Sequence, residues 1–177
     1  MSQRIGMTEQ DAISFILSNC RARDRKEIAA TMSQETVELA VREMWPGREW
    51  GEIFYDALGL PACFIMFHAI TPVALTASLI ATDSWRDVAP RVIRWGLKLF
   101  KPQALEAGFL RVECRAMAGH TDAIWMLERL GFTLEAFVPD FGRDGQLFLQ
   151  YAWRRRDHVH LSEAPKAISA HANPAKG

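Results

Sequence analysis

Arg111-Val-Glu-Cys-Arg-Ala-Met-Ala-Gly-His120-Thr-Asp-Ala-Ile-Trp-Met-Leu-Glu-Arg-Leu-Gly131-Phe132 changes its period half-way along. Its first part alternates apolar and polar side chains, so residues 110–117 are predicted as a strand. Ala123, Met126, Leu127 and Leu130 then recur at helical spacing and make one buried face, with Thr121 as the predicted N-cap and Asp122 in the positive first turn. Gly131 ends that helix, because glycine takes the left-handed conformation at little steric cost, and Phe132 is the apolar residue that follows. Residues 132–141 and 146–153 form a closing hairpin around Gly142-Arg-Asp-Gly145.

Upstream, Val88, Val92, Trp95 and Leu99 are spaced by four, three and four, which predicts a helix that Lys101-Pro102 ends. Residues 50–57, 63–70 and 75–82 read as three consecutive strands in an antiparallel meander, the first two joined by Asp56-Ala-Leu-Gly-Leu-Pro61. Residues 57–82 carry no formal charge, a run long enough to raise the question of a membrane helix. Gly59, Pro61 and Pro72 punctuate it and Phe64, Ile65, Phe67 and Ile70 favour strand, so core strands are expected and no membrane span. Before the meander, Val37, Ala40, Val41 and Met44 share a helical face that Pro46-Gly47 stops, and Asp24 with Glu27 three residues on resembles an N-cap and its reciprocal carboxylate, opening a helix through Met32. The first apolar run, residues 12–17, is predicted as a short strand.

The chain has 177 residues, 49% hydrophobic and 24% charged, which suits one compact core. Lys+Arg and Asp+Glu are both 21, which disfavours nucleic-acid binding over the whole surface, and no sequence-specific nucleic-acid contact is expected. That neutrality is a cancellation: residues 154–177, read as a basic flexible tail, carry +3 and the body −3. Cys20, Cys63 and Cys114 are far apart, with no CxxC pair, and read as buried free thiols in a reducing compartment with no metal site. Residues 1–11 lack an apolar leader core, so secretion is not expected.

The order strand, two helices, three-strand meander, helix, strand, helix, hairpin resembles the GNAT acetyltransferase fold, and residues 120–132 resemble that family's segment around its fourth helix. Glu135, after Leu-Gly-Phe, and Asp144-Gly145 continue a likeness that spans residues 13–153. It implies one α+β domain over residues 1–153, with a central mixed, mostly antiparallel sheet of about six to seven strands flanked by about four helices. Thr82-Asp-Ser-Trp85, Arg111-Val-Glu113, His120 with Ala123, and Gly142-Arg-Asp-Gly145 more narrowly resemble the GNAT-like proteins encoded beside virion genes in tailed phages, an internal virion protein among them.

In the family, the pyrophosphate of acetyl-CoA rests on successive N–H groups of a glycine-rich turn at a helix N-terminus. Here the corresponding loop reads Asp83-Ser-Trp-Arg-Asp-Val-Ala-Pro90, without glycine, and Asp83 and Asp87 add repulsion. The resemblance leaves Ile80, Ala81 and Thr82 to offer backbone groups to the pantetheine arm, with Trp85, Arg86 and Arg91 as further cofactor candidates. Arg91, Arg94, Lys98 and Lys101 lie along one helical face, either a solvated basic face or a site for an anionic partner. Many family members place a tyrosine general acid where this chain has Leu127, and commonly an Asn where it has His120. The catalytic candidates are therefore His120, as an alternative to its packing or capping the helix, and Tyr151 with Glu113 as acid and base if both face the cleft. Trp85, Trp95, Trp125 and Trp153 read as core or interface anchors.

Two functions follow as expectations. One is a phage virion-associated or internal assembly component with a degenerate acetyl-CoA cleft, whose partners are other virion proteins, in the virion or host cytoplasm. The other is an active acetyl-CoA-dependent N-acetyltransferase acting on an amine of a small molecule or protein.

Overall fold

The computed structural model describes residues 7–158. Three helices come first, α1 (Glu9–Ser18), α2 (Ala22–Thr31) and α3 (Gln34–Met44), and then the antiparallel meander β1 (Trp50–Tyr55), β2 (Pro61–Thr71) and β3 (Ala74–Ala81). A long helical rod follows: α4 (Trp85–Trp95), a π turn (Gly96–Phe100) and α5 (Lys101–Glu106). The chain closes with β4 (Arg111–Met117), α6 (Thr121–Arg129), β5 (Thr133–Val138) and β6 (Phe148–Arg154). The six strands form one sheet in the order β1-β2-β3-β4-β6-β5, antiparallel except where β3 meets β4. This is the expected α+β domain with a mixed, mostly antiparallel sheet.

Alternate strand residues feed a core on each face. Ile65, Phe67, Leu75, Val112, Cys114, Tyr151 and Trp153 point toward the α4–α5 rod and α6, whereas Ile53, Phe64, Met66 and Ile80 point toward α1 and α3. Because both faces are covered, β2 is buried without interruption from Pro61 to Phe67, and that double covering explains the long uncharged run. Among the described residues no helix is long and apolar enough to cross a membrane, and no group of side chains could hold a metal ion. All three cysteines are free and buried.

Several local expectations are corrected. Residues 12–17 are helical, not a strand: Ala12, Ile13, Ile16 and Leu17 all face the core, and Thr8 with Asp11 forms the capping box that starts α1. Asp24 does not cap α2, which begins at Ala22 after Arg21; both Asp24 and Glu27 lie inside it and turn toward the sheet. Lys101-Pro102 does not end the rod, because Pro102 falls in the first turn of α5, where no N–H is needed. The π turn adds a residue and rotates the apolar stripe, so Phe100 is buried while Leu99 is 54% exposed. The ring of Phe100 stacks on Phe67 with centroids 3.8 Å apart. His120, not Thr121, is the N-cap of α6. Gly131 has φ +83°, as its place after the helix requires. Arg154 completes β6, and Arg155 is bonded back to Leu110 and Leu105, so the first residues assigned to the tail belong to the body. The rest of the expected tail, residues 159–177, lies outside the described residues.

Candidate functional site

β3 and β4 pair over only three residues each, Ala74 to Thr76 against Arg111 to Glu113. Beyond that they splay, and a cleft of roughly 440 Å³ passes between them from the α4–α5 side to the α2–α3 side. α4 and α6 each follow directly on one of the two splayed strands, so both helices start from the splayed ends. In most folds such a pair of helix ends would attract an anion.

Here α2 closes the mouth. Asp24 accepts the N–H of Ala81, at the end of β3, at 2.7 Å, and Glu27 accepts the N–H of Met117, at the end of β4, at 3.1 Å. His120 stands between the two carboxylates, with Nε2 at 3.1 Å from Asp24 and Nδ1 at 2.7 Å from Glu27. Arg21 donates to Asp24 at 2.9 Å, lies with its guanidinium 4.9 Å above the ring of Trp85 and approaches Asp122 at 3.7 Å. Burial is the largest single influence on His120 and pulls its pKa down, but the hydrogen bonds and charges of Asp24 and Glu27 together outweigh it and raise the ring to about 9. Arg21 Nη2 lies 3.2 Å from His120 Nε2. With both ring nitrogens facing carboxylates, the doubly protonated ring is satisfied by Asp24 and Glu27, whereas Arg21 bonds Asp24 through Nε and keeps Nη1, 3.7 Å from Asp122, without a hydrogen bond. Arg21, Asp24 and His120 thus sit buried with the half-buried Glu27 beside them, and a ring held protonated is a poor general base at neutral pH.

The remaining predicted residues are dispersed. The N–H and C=O of Ala81 are both engaged, the first by Asp24 and the second by the N–H of Arg21. Thr82 turns its N–H to Ala62, on the β2 side, and the alternation of the strand sends Ile80 the same way. At the glycine-free turn, Ser84 N–H donates to the Thr82 hydroxyl, Trp85 N–H to the Thr82 carbonyl and Asp87 N–H to the Ser84 carbonyl. Arg86 is exposed at the start of α4. Tyr151 and Glu113 are not brought together: Tyr151 faces α6, where its hydroxyl reaches Glu128 at 3.5 Å and burial pushes its pKa up, while Glu113 faces the other way and pairs with Arg111 at 2.8 Å. Leu127 is buried in the core. Of the four basic residues, Arg91 donates to the Tyr55 carbonyl and Lys101 lies 5.9 Å over the ring of Trp153. Arg94 and Lys98 remain exposed, with no carboxylate partner among the described residues.

The sequence reading missed Arg21, Asp24 and Glu27 as partners of His120. An acid pair spaced by three is shared by a capping box and by two successive turns of one helix face, and only the arginine before them hinted at the second.

No family model and no curated protein matches the chain. Solved structures do. An acetyltransferase of the GNAT family from Bacillus anthracis aligns with a TM-score of 0.56 at 12% identity, over 84% of this chain and 91% of that one. The L7/L12 ribosomal-protein α-N-acetyltransferase RimL aligns with a TM-score of 0.62 at 16% identity, over 82% and 84%. The protein yncA of Salmonella typhimurium, assigned as an acetyltransferase and solved with its cofactor acetyl-CoA, aligns with a TM-score of 0.59 at 14% identity, over 91% and 96%. At these identities the likeness is one of architecture, and the architecture of this chain is the GNAT fold.

Proposed function

We propose that this protein is a GNAT-fold binding component that has lost acyl transfer, acting as a virion-associated or internal assembly protein of a tailed phage. The observation that carries the loss is the closure of the strand splay by α2, with Asp24 on Ala81 N–H and Glu27 on Met117 N–H. The residues do not fit acetyl-CoA in the manner the resemblance implies. The one N–H at the end of β3 that faces the cleft is engaged, and at the turn into α4 the N–H groups of Ser84, Trp85 and Asp87 bond within the turn. To take a cofactor there, the protein would have to leave Arg21 and His120 buried without Asp24, at a cost of about 3–5 kcal/mol for a broken buried pair. The assembly role is supported by the resemblance of Thr82-Asp-Ser-Trp85, Arg111-Val-Glu113 and Gly142-Arg-Asp-Gly145 to the GNAT-like proteins of tailed phages.

The second reading, an N-acetyltransferase acting on an amine, is favoured by the retained splay and its through-going cleft and by the likeness to a structure solved with acetyl-CoA. Isothermal titration with acetyl-CoA separates the two. The assembly reading expects no binding at millimolar cofactor, and micromolar binding would overturn it in favour of the enzyme. Mass spectrometry of gradient-purified phage particles tests the remainder: the chain is expected at a fixed ratio to the capsid protein, and its loss on purification would refute a place in the virion.

A further inference from the structure

On the α2–α3 face of the sheet, Arg115 of β4 and Gln150 of β6 are directly opposed partners in the antiparallel register, so their side chains stand next to each other over the cleft. Gln150 is 8% exposed, its Oε1 has no hydrogen-bond partner, and its Nε2 makes only a long 3.4 Å bond to the Tyr151 carbonyl. A buried amide left half-paired costs about 1–3 kcal/mol and calls for an explanation. Its neighbour is equally unbalanced. Arg115 is exposed, forms no ion pair among the described residues, and lies 5.1 Å from the ring centroid of Phe141. The acids that share the cleft are already neutralised, Glu113 by Arg111, and Asp24 and Glu27 by Arg21 and His120. Phe141, itself packed on Phe148 at 4.9 Å, and Met44 of α3 supply apolar walls. The volume of roughly 440 Å³ falls within the range that holds a small ligand or the end of a chain.

From this juxtaposition we infer that the cleft is a binding site for a carboxylate that carries an adjacent amide N–H, as at the C-terminal residue of a peptide or in an N-acylated amino acid. The carboxylate pairs with the Arg115 guanidinium, the N–H donates to Gln150 Oε1, and an apolar side chain packs on Phe141. Nothing in this inference depends on whether the protein sits in a virion or transfers an acyl group.

The test uses the full chain and three probes: N-acetyl-alanyl-leucine, its C-terminal amide, and N-acetyl-leucine, each followed by isothermal titration. The free acid of the dipeptide is expected to bind at least tenfold tighter than its amide, and Arg115→Gln, a change at an exposed site, to abolish that preference. Gln150→Leu is expected to weaken the acid at least tenfold while leaving the probe-free protein as stable as before or more so, because it removes an unpaired polar group. A dipeptide that outbinds N-acetyl-leucine assigns the site to chain ends, and equal binding assigns it to the small acid. Acid and amide binding alike, neither binding the wild type at ten millimolar, or a preference that survives Arg115→Gln would each overturn the inference. So would a Gln150→Leu protein that is less stable without probe, since Gln150 would then be a structural residue.

Discussion

Raising the pH should loosen this protein through His120 before any other described group is involved. In the folded chain the ring holds its proton to about 9, against an ordinary value of 6.5. A group whose folded value is raised contributes its stability in full below the unfolded value and loses it as pH climbs to the folded one. At about 1.4 kcal/mol per pH unit, the contribution is about 3 kcal/mol at pH 6, falls to about 1 kcal/mol at pH 8.5 and is nearly gone by pH 10. The useful window ends at pH 8.5, because burial also pushes the thiols of Cys63 and Cys114 up and their ionisation in the unfolded chain adds a separate loss above it. Urea unfolding at pH 6, 7, 8 and 8.5, on wild type and on His120→Gln, isolates the ring. Wild type should lose about 2 kcal/mol more than the variant across the window, which at a slope of about 2 kcal/mol per molar urea moves the midpoint by about 1 M. Parallel curves for the two proteins, or a wild type that is flat over the window, would refute the account of His120 as a buried cation between Asp24 and Glu27.

Asp24→Ala removes the acceptor for Ala81 N–H and leaves Arg21 and His120 buried with one acid fewer. It should cost about 3–5 kcal/mol, seen as a fall in Tm of about 10 °C, and a fall of less than 3 °C would contradict the closure of the splay. Gly131→Ala places a Cβ at φ +83° and 2.8 Å from the His158 ring, so a loss of about 1–2 kcal/mol is expected by calorimetry, and a neutral result would count against the left-handed end of α6. Cys20, Cys63 and Cys114 should be silent to a thiol reagent in the native protein at pH 8 and all react in denaturant; a fast-reacting native thiol would place at least one of them outside the core.

Legibility followed the range of the interactions involved. The meander, α3 and the segment from β4 to Gly131 were readable because their signals are local: alternation, a three-and-four spacing, and a glycine one step past a helix. Residues 12–17 carry a strand signal in sequence because an uninterrupted apolar run suits a buried strand as well as a helix, and Thr8 with Asp11, which decides for helix, lies before the run. Beyond Trp95 the helical spacing runs one residue out of phase with the rod, since a π turn leaves no mark in spacing. Tyr151 and Glu113 are nearly opposite in register yet point to opposite faces, because Glu113 pairs with Ala152 and each one-residue step reverses the side chain.

By itself the sequence determined the order of elements from β1 onward, the core strands of the meander and the absence of a glycine cradle before α4, because each is a property of neighbours along the chain. Only the tertiary structure decided what became of the cleft. Asp24 and Ala81 are 57 residues apart, and Glu27 and His120 are 93. The same acid spacing that would cap a free helix serves instead to satisfy two strand ends and a buried imidazolium. That choice is made by desolvation, which leaves the N–H groups of Ala81 and Met117 and the charge of His120 no water to bond to once the sheet has formed.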